Sequence, residues 1–294
     1  MERKYEFIVN PVAGPKDNIK YFKKLKARLK ERGINFDSKK TKRAGHAPKL
    51  VKKRLENSEA VIVSVGGDGT FNEAASVLVG TSREMAHIPR GSGNGLARML
   101  KIPSRIDKIP DYLEYGEACS IDVGKINDDY FFCTCGFGFD ALIAHEFSDS
   151  TTRGLWTYVN SVFKKFWRFR GVEANFKLDE QEYSGRYFVV TFANANQFGN
   201  DAFIAPNAIL DDGWLDVTMI RPFPIYYTPV MIYALFRKRI HKLPYVETKK
   251  VKAVEIRSVS SPYFHCDGDV YDTGLPVKIT VQEKALKLLQ PKGR

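Results

Sequence analysis

The sequence has no uninterrupted apolar run approaching about 18 residues, so no transmembrane helix is expected. Its first residues, MERKYEFIVN, carry no apolar stretch of the signal-peptide kind, and no secretory leader is expected there. Cysteine is scarce. The four present, Cys119, Cys133, Cys135 and Cys266, lack the Cys-x2-Cys spacing of a zinc site. Reduced, structural thiols are expected instead, as in a cytosolic protein. There is no low-complexity tract and no internal repeat, which excludes fibrous and solenoid architectures. What remains is a soluble globular composition over 294 residues, long enough for two domains or one large one.

Acidic residues are outnumbered, and the formal net charge is +12. Such a balance points to anionic partners: nucleotides, an anionic membrane face or nucleic acid. No DNA- or RNA-binding motif accompanies the charge, so nucleic acid is not expected as a partner. The basic residues in DNIKYFKKLKARLKERG mostly flank an apolar stripe of Ile19, Phe22, Leu25 and Leu29 and read as a solvated helix face.

Along the first third, strand and helix alternate. KYEFIV reads as a strand, the next helix stops at Gly33, and EAVIVSV has the continuous Val/Ile character of a buried parallel strand. AHIP followed by GNGLARML repeats the pattern. An α/β domain with a doubly wound sheet is predicted, with ligands at the carboxyl ends of the strands. After about residue 116 the texture changes to strands with period-2 alternation, and helical stretches are expected only near 139–148, 154–169 and 224–238. The predicted organisation is an α/β domain over 1–116, with 283–294 a candidate to complete it. An antiparallel β domain follows over 117–282.

Two turns carry the chemistry. VSVGGDGTFNEAA (63–75) places glycines at 66, 67 and 69 between a strand and a helix, where backbone N–H groups and the helix start suit a phosphate. It lacks the lysine of a Walker A loop and carries Asp68 instead. A carboxylate there suits metal-assisted phosphoryl transfer, or acceptance of a proton, better than passive phosphate binding. Thr70 and Glu73 also have the spacing of a helix capping box. A second glycine-rich turn, PRGSGNGL (89–96), again opens toward a helix, with Ser92 and Asn94 as neutral polar groups.

GGDGTFNE followed by PRGSGNGLAR, together with NPVAG (10–14), TKRAGHA (41–47), GFGFDA (136–141), IAPNAILDDGWLDV (204–217) and HCDGD (265–269), resembles the diacylglycerol kinase catalytic-domain family. That family also contains sphingosine and ceramide kinases. The resemblance implies a phosphofructokinase-like α/β nucleotide domain, a C-terminal β-sandwich and an active site in the cleft between them. It implies ATP contacts at Asn10, Thr41, Gly66, Gly67, Asp68, Gly69, Thr70, Phe71, Asn72, Glu73, Gly91, Ser92 and Asn94. It also implies an Mg²⁺ site at Asp212, joined by the backbone carbonyls of Ile209 and Trp214. CDGD matches the family's DGE, whose last residue is implicated as the base. Here it is Asp269, one methylene shorter, with Asp267 and Asp68 as alternatives. Taken without the resemblance, CDGD reads as an Asp-Gly hairpin, and His46, His145 and His265 read as structural. QFGND (197–201) departs from the triple glycine of many relatives.

The function implied is transfer of the γ-phosphate of ATP to a hydroxyl of a diacylglycerol- or sphingoid-type lipid. Asp140 matches a headgroup-reading position, with Phe137, Phe139 and Leu142 as apolar lining, and GSGNGLAR leans toward the sphingoid version. Residues 153–171 combine Trp156, Tyr158, Phe163, Phe166, Trp167 and Phe169 with Arg153, Lys164, Lys165, Arg168 and Arg170. With 222–245, they read either as interfacial helices on anionic lipid or as ordinary packed helices. A cytoplasmic, peripherally membrane-associated enzyme is expected, with a homodimer left open. The alternatives are an NAD kinase-like enzyme with a soluble substrate and a non-catalytic nucleotide- and membrane-binding regulator.

Overall fold

The first apolar run, Tyr5–Val9, is strand β1 and is buried along its whole length. After it come α1 (Asn18–Glu31), β2 (Phe36–Lys40), α2 (Ala47–Leu55), β3 (Val61–Gly66), α3 (Asp68–Ala75), β4 (Glu84–Pro89), α4 (Gly95–Met99), α5 (Ile109–Tyr115) and β5 (Glu117–Ile126). The computed structural model describes residues 3–14, 18–56, 58–149, 165–166, 168–261, 263–271 and 274–293, with the side chains of 146–149 excepted. Two units divide the chain, Met1–Val123 with Glu283–Arg294, and Gly124–Gln282.

In the first unit β2, β1, β3 and β4 pair in that order, all parallel. Every residue of β1 and β3 is buried, as expected of inner parallel strands covered on both faces. Edge strand β2 is only half-buried or exposed. Helix α1 buries Phe22, Leu25 and Leu29, whereas Ile19 is largely exposed and drops out of the stripe read from the sequence. Gly33, at φ +69°, ends it. The Ile34 N–H reaches the Leu29 carbonyl and the Gly33 N–H the Lys30 carbonyl, both at 3.0 Å, the pairing of a Schellman motif.

The second unit contains β6 (Asp129–Phe131), β7 (Thr134–Gly138), α6 (Phe139–Asp149), β8 (Val172–Leu178), β9 (Gln181–Tyr187), β10 (Val189–Ala193), β11 (Leu215–Ile220), α7 (Thr228–Phe236), β12 (Val246–Val251), β13 (Ala253–Val259), β14 (Phe264–Cys266), β15 (Asp269–Tyr271) and the start of β16 (Val277–Gln290). It is an antiparallel β-sandwich. One sheet runs β12-β11-β10-β7-β14-β15. Facing it are β16, β13, β8 and β9. Phe137, Phe192 and Phe264 from the first sheet meet Phe176, Ile256 and Ile279 from the second in a common buried core.

PVKITVQ and KALKLLQ, two strand candidates in the sequence, are one strand here. Glu283, which separates them, and Lys284 are exposed, and the chain stays extended except at Lys284, where φ is +50°. The second half of β16 belongs to the first unit, where it pairs with β4 in parallel.

Candidate active site

The register places Gly66 opposite Pro89, so both glycine turns leave neighbouring strands at the carboxyl end of the sheet. They interlock. The Arg90 N–H donates to the Gly66 carbonyl at 2.6 Å. A Cβ built on Gly91 would lie 2.6 Å from Gly67 Cα and 2.9 Å from Asn94 Oδ1. No side chain fits there, which is why this backbone needs glycine. Asn94, at φ +50°, closes its own turn by accepting from the Gly91 N–H (2.9 Å) and donating to the Gly91 carbonyl (2.6 Å). Asp68 ties the turns together, since its Oδ2 accepts from the Asn94 N–H at 2.7 Å.

Asn10 joins the same group, with Nδ2 donating to Thr70 Oγ1 at 3.0 Å. Thr41 stands just beyond β2, its N–H bonded to the Val9 carbonyl at 2.9 Å. The capping-box reading of Thr70 and Glu73 does not hold. Helix α3 starts at Asp68 with Gly67 as its N-cap, so Thr70 is already inside the helix. Glu73 instead accepts from the Gly45 and Ala47 N–H groups at 2.8 and 3.2 Å, holding the 45–47 turn against α3. Phe71 is buried in the domain core, Asn72 is half-buried, and Gly69 and Ser92 are exposed.

Beneath the turns, Ser64 on β3 and His87 on β4 share a buried hydrogen bond of 2.8 Å, with Phe71 edge-on to the imidazole. Burial pushes the His87 ring down to about 3, opposed by its hydrogen bonding to Ser64. Beside the turns, Arg90 stacks on Tyr21 at 3.9 Å and donates to the buried Asn18 at 3.2 Å. Nothing in the sequence pattern marks this set, because α1 and the second turn lie some seventy positions apart.

In the second unit the acidic residues fall into distinct environments. Asp267 begins an Asp-Gly hairpin in which it and Gly268 take φ +51° and +88°, the turn its dipeptide favours. Its carboxylate accepts from the Phe132, Cys133 and Thr134 N–H groups at 2.9, 2.8 and 3.1 Å. A carboxylate so engaged anchors backbone and is a poor proton acceptor. Asp269, two residues on, is exposed at the start of β15. Asp140 accepts from the Ala141 N–H (2.9 Å) and Thr191 Oγ1 (3.0 Å), and its Oδ2 lies 3.0 Å from His265 Nε2. His265 is thus a partner of Asp140, and it is buried.

Asp212 accepts from the Trp214 N–H at 3.1 Å and pairs with Lys250, which also lies 4.0 Å from Asp216 Oδ2. Burial pushes the Asp216 carboxyl up to about 6, opposed by Lys250 and reinforced by Asp212. Asp216 Oδ2 is buried with no hydrogen-bond partner. An orphaned carboxylate oxygen beside a second carboxylate fits a divalent cation. Among the described residues, however, no three His, Cys, Asp or Glu side chains gather for one. Ile209 and Trp214 are both exposed.

The sandwich also holds an apolar cavity of about 420 Å³. Phe139, Phe188, Phe198, Ile204, Ile220 and Met231 are among its walls, and Asp140 is the one charged lining residue among the described residues. Phe137 does not line it. Residues alternate across β7, so Phe137 points into the sandwich core, against Phe176 and Phe264. Leu142 is half-buried on α6 and is not among the cavity walls. Phe166 reaches the cavity, 5.3 Å from Phe139. Arg153, Trp156, Tyr158, Phe163, Lys164 and Trp167 lie outside the described residues. In the departure at 197–201, Gly199, Asn200 and Asp201 all take positive φ, as glycines would.

Residues 4–126 match the diacylglycerol kinase catalytic domain, and residues 133–290 match the YegS C-terminal NAD kinase beta sandwich-like domain. The chain belongs to the diacylglycerol kinase catalytic-domain family. It is 28% identical over 297 residues to a diacylglycerol kinase of Mycobacterium tuberculosis, covering 97% of this chain and 94% of the relative. It is 23% identical over 296 residues to a diacylglycerol kinase of Staphylococcus carnosus, covering 99% and 96%. A solved diacylglycerol kinase structure from Bacillus anthracis shares the fold, with a TM-score of 0.74 at 21% identity over 99% of this chain and 97% of that one.

Proposed function

We propose that the protein is an ATP-dependent lipid kinase that phosphorylates a hydroxyl of a diacylglycerol- or sphingoid-type lipid. The observation that carries the acceptor side is the cavity of the second unit, with its apolar walls and, among the described lining residues, a single carboxylate, Asp140, held by Thr191 and His265. A long apolar chain with one polar end matches that division, and a dinucleotide does not. On the donor side, the interlocked turns at 66–70 and 91–94 present backbone N–H groups at the start of α3, a phosphate cradle that works without a lysine.

In the proposed reaction the lipid hydroxyl oxygen bonds to the γ-phosphorus as the bridging bond to ADP breaks. The hydroxyl proton passes to a carboxylate. Asp269 is the candidate, because Asp267 is saturated by three backbone donors and Asp68 is held by Asn94. Asp212 and Asp216, with the carbonyls of Ile209 and Trp214, would hold Mg²⁺. When bound, the ion supplies charge neutralisation for phosphoryl transfer. The remaining task of these residues is positioning, the larger part of catalysis in a loose phosphoryl-transfer transition state.

The test is incubation of the purified chain with γ-labelled ATP and dispersed diacylglycerol, sphingoid bases, ceramide, phosphatidylglycerol or NAD. Label is expected in one of the lipids and absent from NAD. Asp140→Ala should raise the lipid KM without changing the ATP KM. Transfer to NAD, or to none of the acceptors, overturns the reading.

A further inference from the structure

Helix α7, TPVMIYALF, contains no charged residue. A helix apolar on every side belongs inside a protein or against another apolar phase. Here only one side is inside. Met231 and Ala234 are buried, and Met231 and Leu235 face the apolar cavity. The other side is open, with Val230 42%, Tyr233 57% and Phe236 50% exposed. The 3-10 turn before the helix continues the same surface with Ile225 at 38% and Tyr226 at 77%. So many large apolar side chains on one continuous segment exceed the scattered exposures of an ordinary surface.

Within this segment the charge is of one sign. From Pro222 to Val246 the sequence has no Asp or Glu, and Arg237, Lys238, Arg239 and Lys242 follow the apolar segment directly. All four are exposed, with the Lys238 ammonium 4.5 Å from the Phe203 ring. Aromatic and aliphatic side chains on one face, followed by cations in a segment that has no carboxylate of its own, have the chemistry of a helix lying in the interface of an anionic bilayer.

We infer that the outward face of Ile225–Phe236, with the basic run Arg237–Lys242, is a docking surface for an anionic lipid bilayer. The inference rests on the lipid-kinase reading for its purpose: the helix that meets the bilayer on one side walls the acceptor cavity on the other. A lipid could then pass from the membrane along α7 without crossing bulk water. The proposal identifies the partner of that cavity, and it stands on exposure and charge rather than on any catalytic residue.

The test uses the full chain and two variants, Val230→Ser/Tyr233→Ser/Phe236→Ser and Arg237→Glu/Arg239→Glu, none of which alters a cavity-lining residue. Co-sedimentation is measured at low salt with vesicles of phosphatidylglycerol and phosphatidylcholine, and with phosphatidylcholine alone. The wild type should bind the anionic vesicles, bind the neutral ones weakly, and lose about tenfold or more of its binding in each variant. Circular dichroism checks folding, and if the serine variant misfolds, the charge-reversal variant decides. Undiminished anionic binding by the folded variants overturns the proposal. So does a wild-type dimer that the serine variant dissociates while vesicle binding is unchanged, since a second copy then covers the patch. Transfer to detergent-dispersed diacylglycerol is read separately. Vesicle binding lost in the variants supports docking even if no lipid is phosphorylated, so the two readings fail independently.

Discussion

Two aspartates two residues apart, Asp267 and Asp269, show how differently one residue type is used. Asp267 satisfies three backbone N–H groups of the Phe132–Thr134 turn. Replacing it with alanine strands those donors, which should cost about 2–4 kcal/mol of unfolding free energy, read from urea denaturation. Asp269 is exposed at the start of β15. Asp269→Asn is expected to leave the urea midpoint unchanged and to lower kcat by about 100-fold or more. If both variants lose stability equally, the assignment of distinct roles is wrong. The sequence marked both residues but not this division, because the three donors lie more than 130 positions away.

His87 yields a prediction with a definite sign. Its ring titrates near 6.5 when unfolded, and burial lowers it to about 3 in the folded chain. Between those values the unfolded state holds more protons, so stability falls as pH is lowered through the window. At pH 5 the loss from this residue alone is about 2 kcal/mol. His87→Gln, which keeps a polar partner for Ser64, should lack that part of the pH slope. Urea midpoints at pH 7.5 and pH 5 for both proteins check it, and equal slopes would contradict the burial argument.

At the scale of elements, the glycine turns were legible because their chemistry is local. Strand, glycine turn and helix follow within a dozen residues. The contact between the turns was not legible, since Gly67 and Gly91 meet only once β3 and β4 are in register. Gly91→Ala tests that contact. Its Cβ would collide with Gly67 Cα and Asn94 Oδ1, so kcat/KM for ATP should fall about tenfold or more as the cradle shifts. The lipid KM should hardly change, and unchanged ATP kinetics would show that the turns do not form the cradle. The start of α3 was misread for a related reason. Thr-x-x-Glu spacing describes a capping box only where the helix begins, and Gly67 begins this one earlier. Likewise the period of β7 was legible and would put Phe137 and Phe139 on one face, but the strand ends at Gly138 and Phe139 opens α6, so Phe139 lines the cavity while Phe137 stays in the core.

For the whole chain, the path of the last strand between the two units depends on contacts remote in sequence. β16 leaves the second unit at Gln282 and completes the first. There Leu286, Leu288 and Leu289 are fully buried, the Leu289 carbonyl accepts from Tyr112 Oη at 2.9 Å, and the Lys284 N–H donates to the buried Asp122 at 2.6 Å. The Gly80 N–H reaches the Ala285 carbonyl at 2.8 Å, fixing the turn between α3 and β4. Burial of three leucines alone is worth about 5–9 kcal/mol, comparable to the whole stability of a typical domain. A chain ending at Gln282 should therefore lose the fold of its first unit. The second unit keeps every strand of its antiparallel sheet β12-β11-β10-β7-β14-β15 and the Val277–Thr280 pairing with β13. Limited proteolysis of the truncated chain should then cut freely within β1, β3 and β4 while leaving β7, β8, β10, β11 and β13 protected, with ATP binding abolished. Equal protection of both regions would show that the last strand is dispensable and that the parallel sheet closes without it.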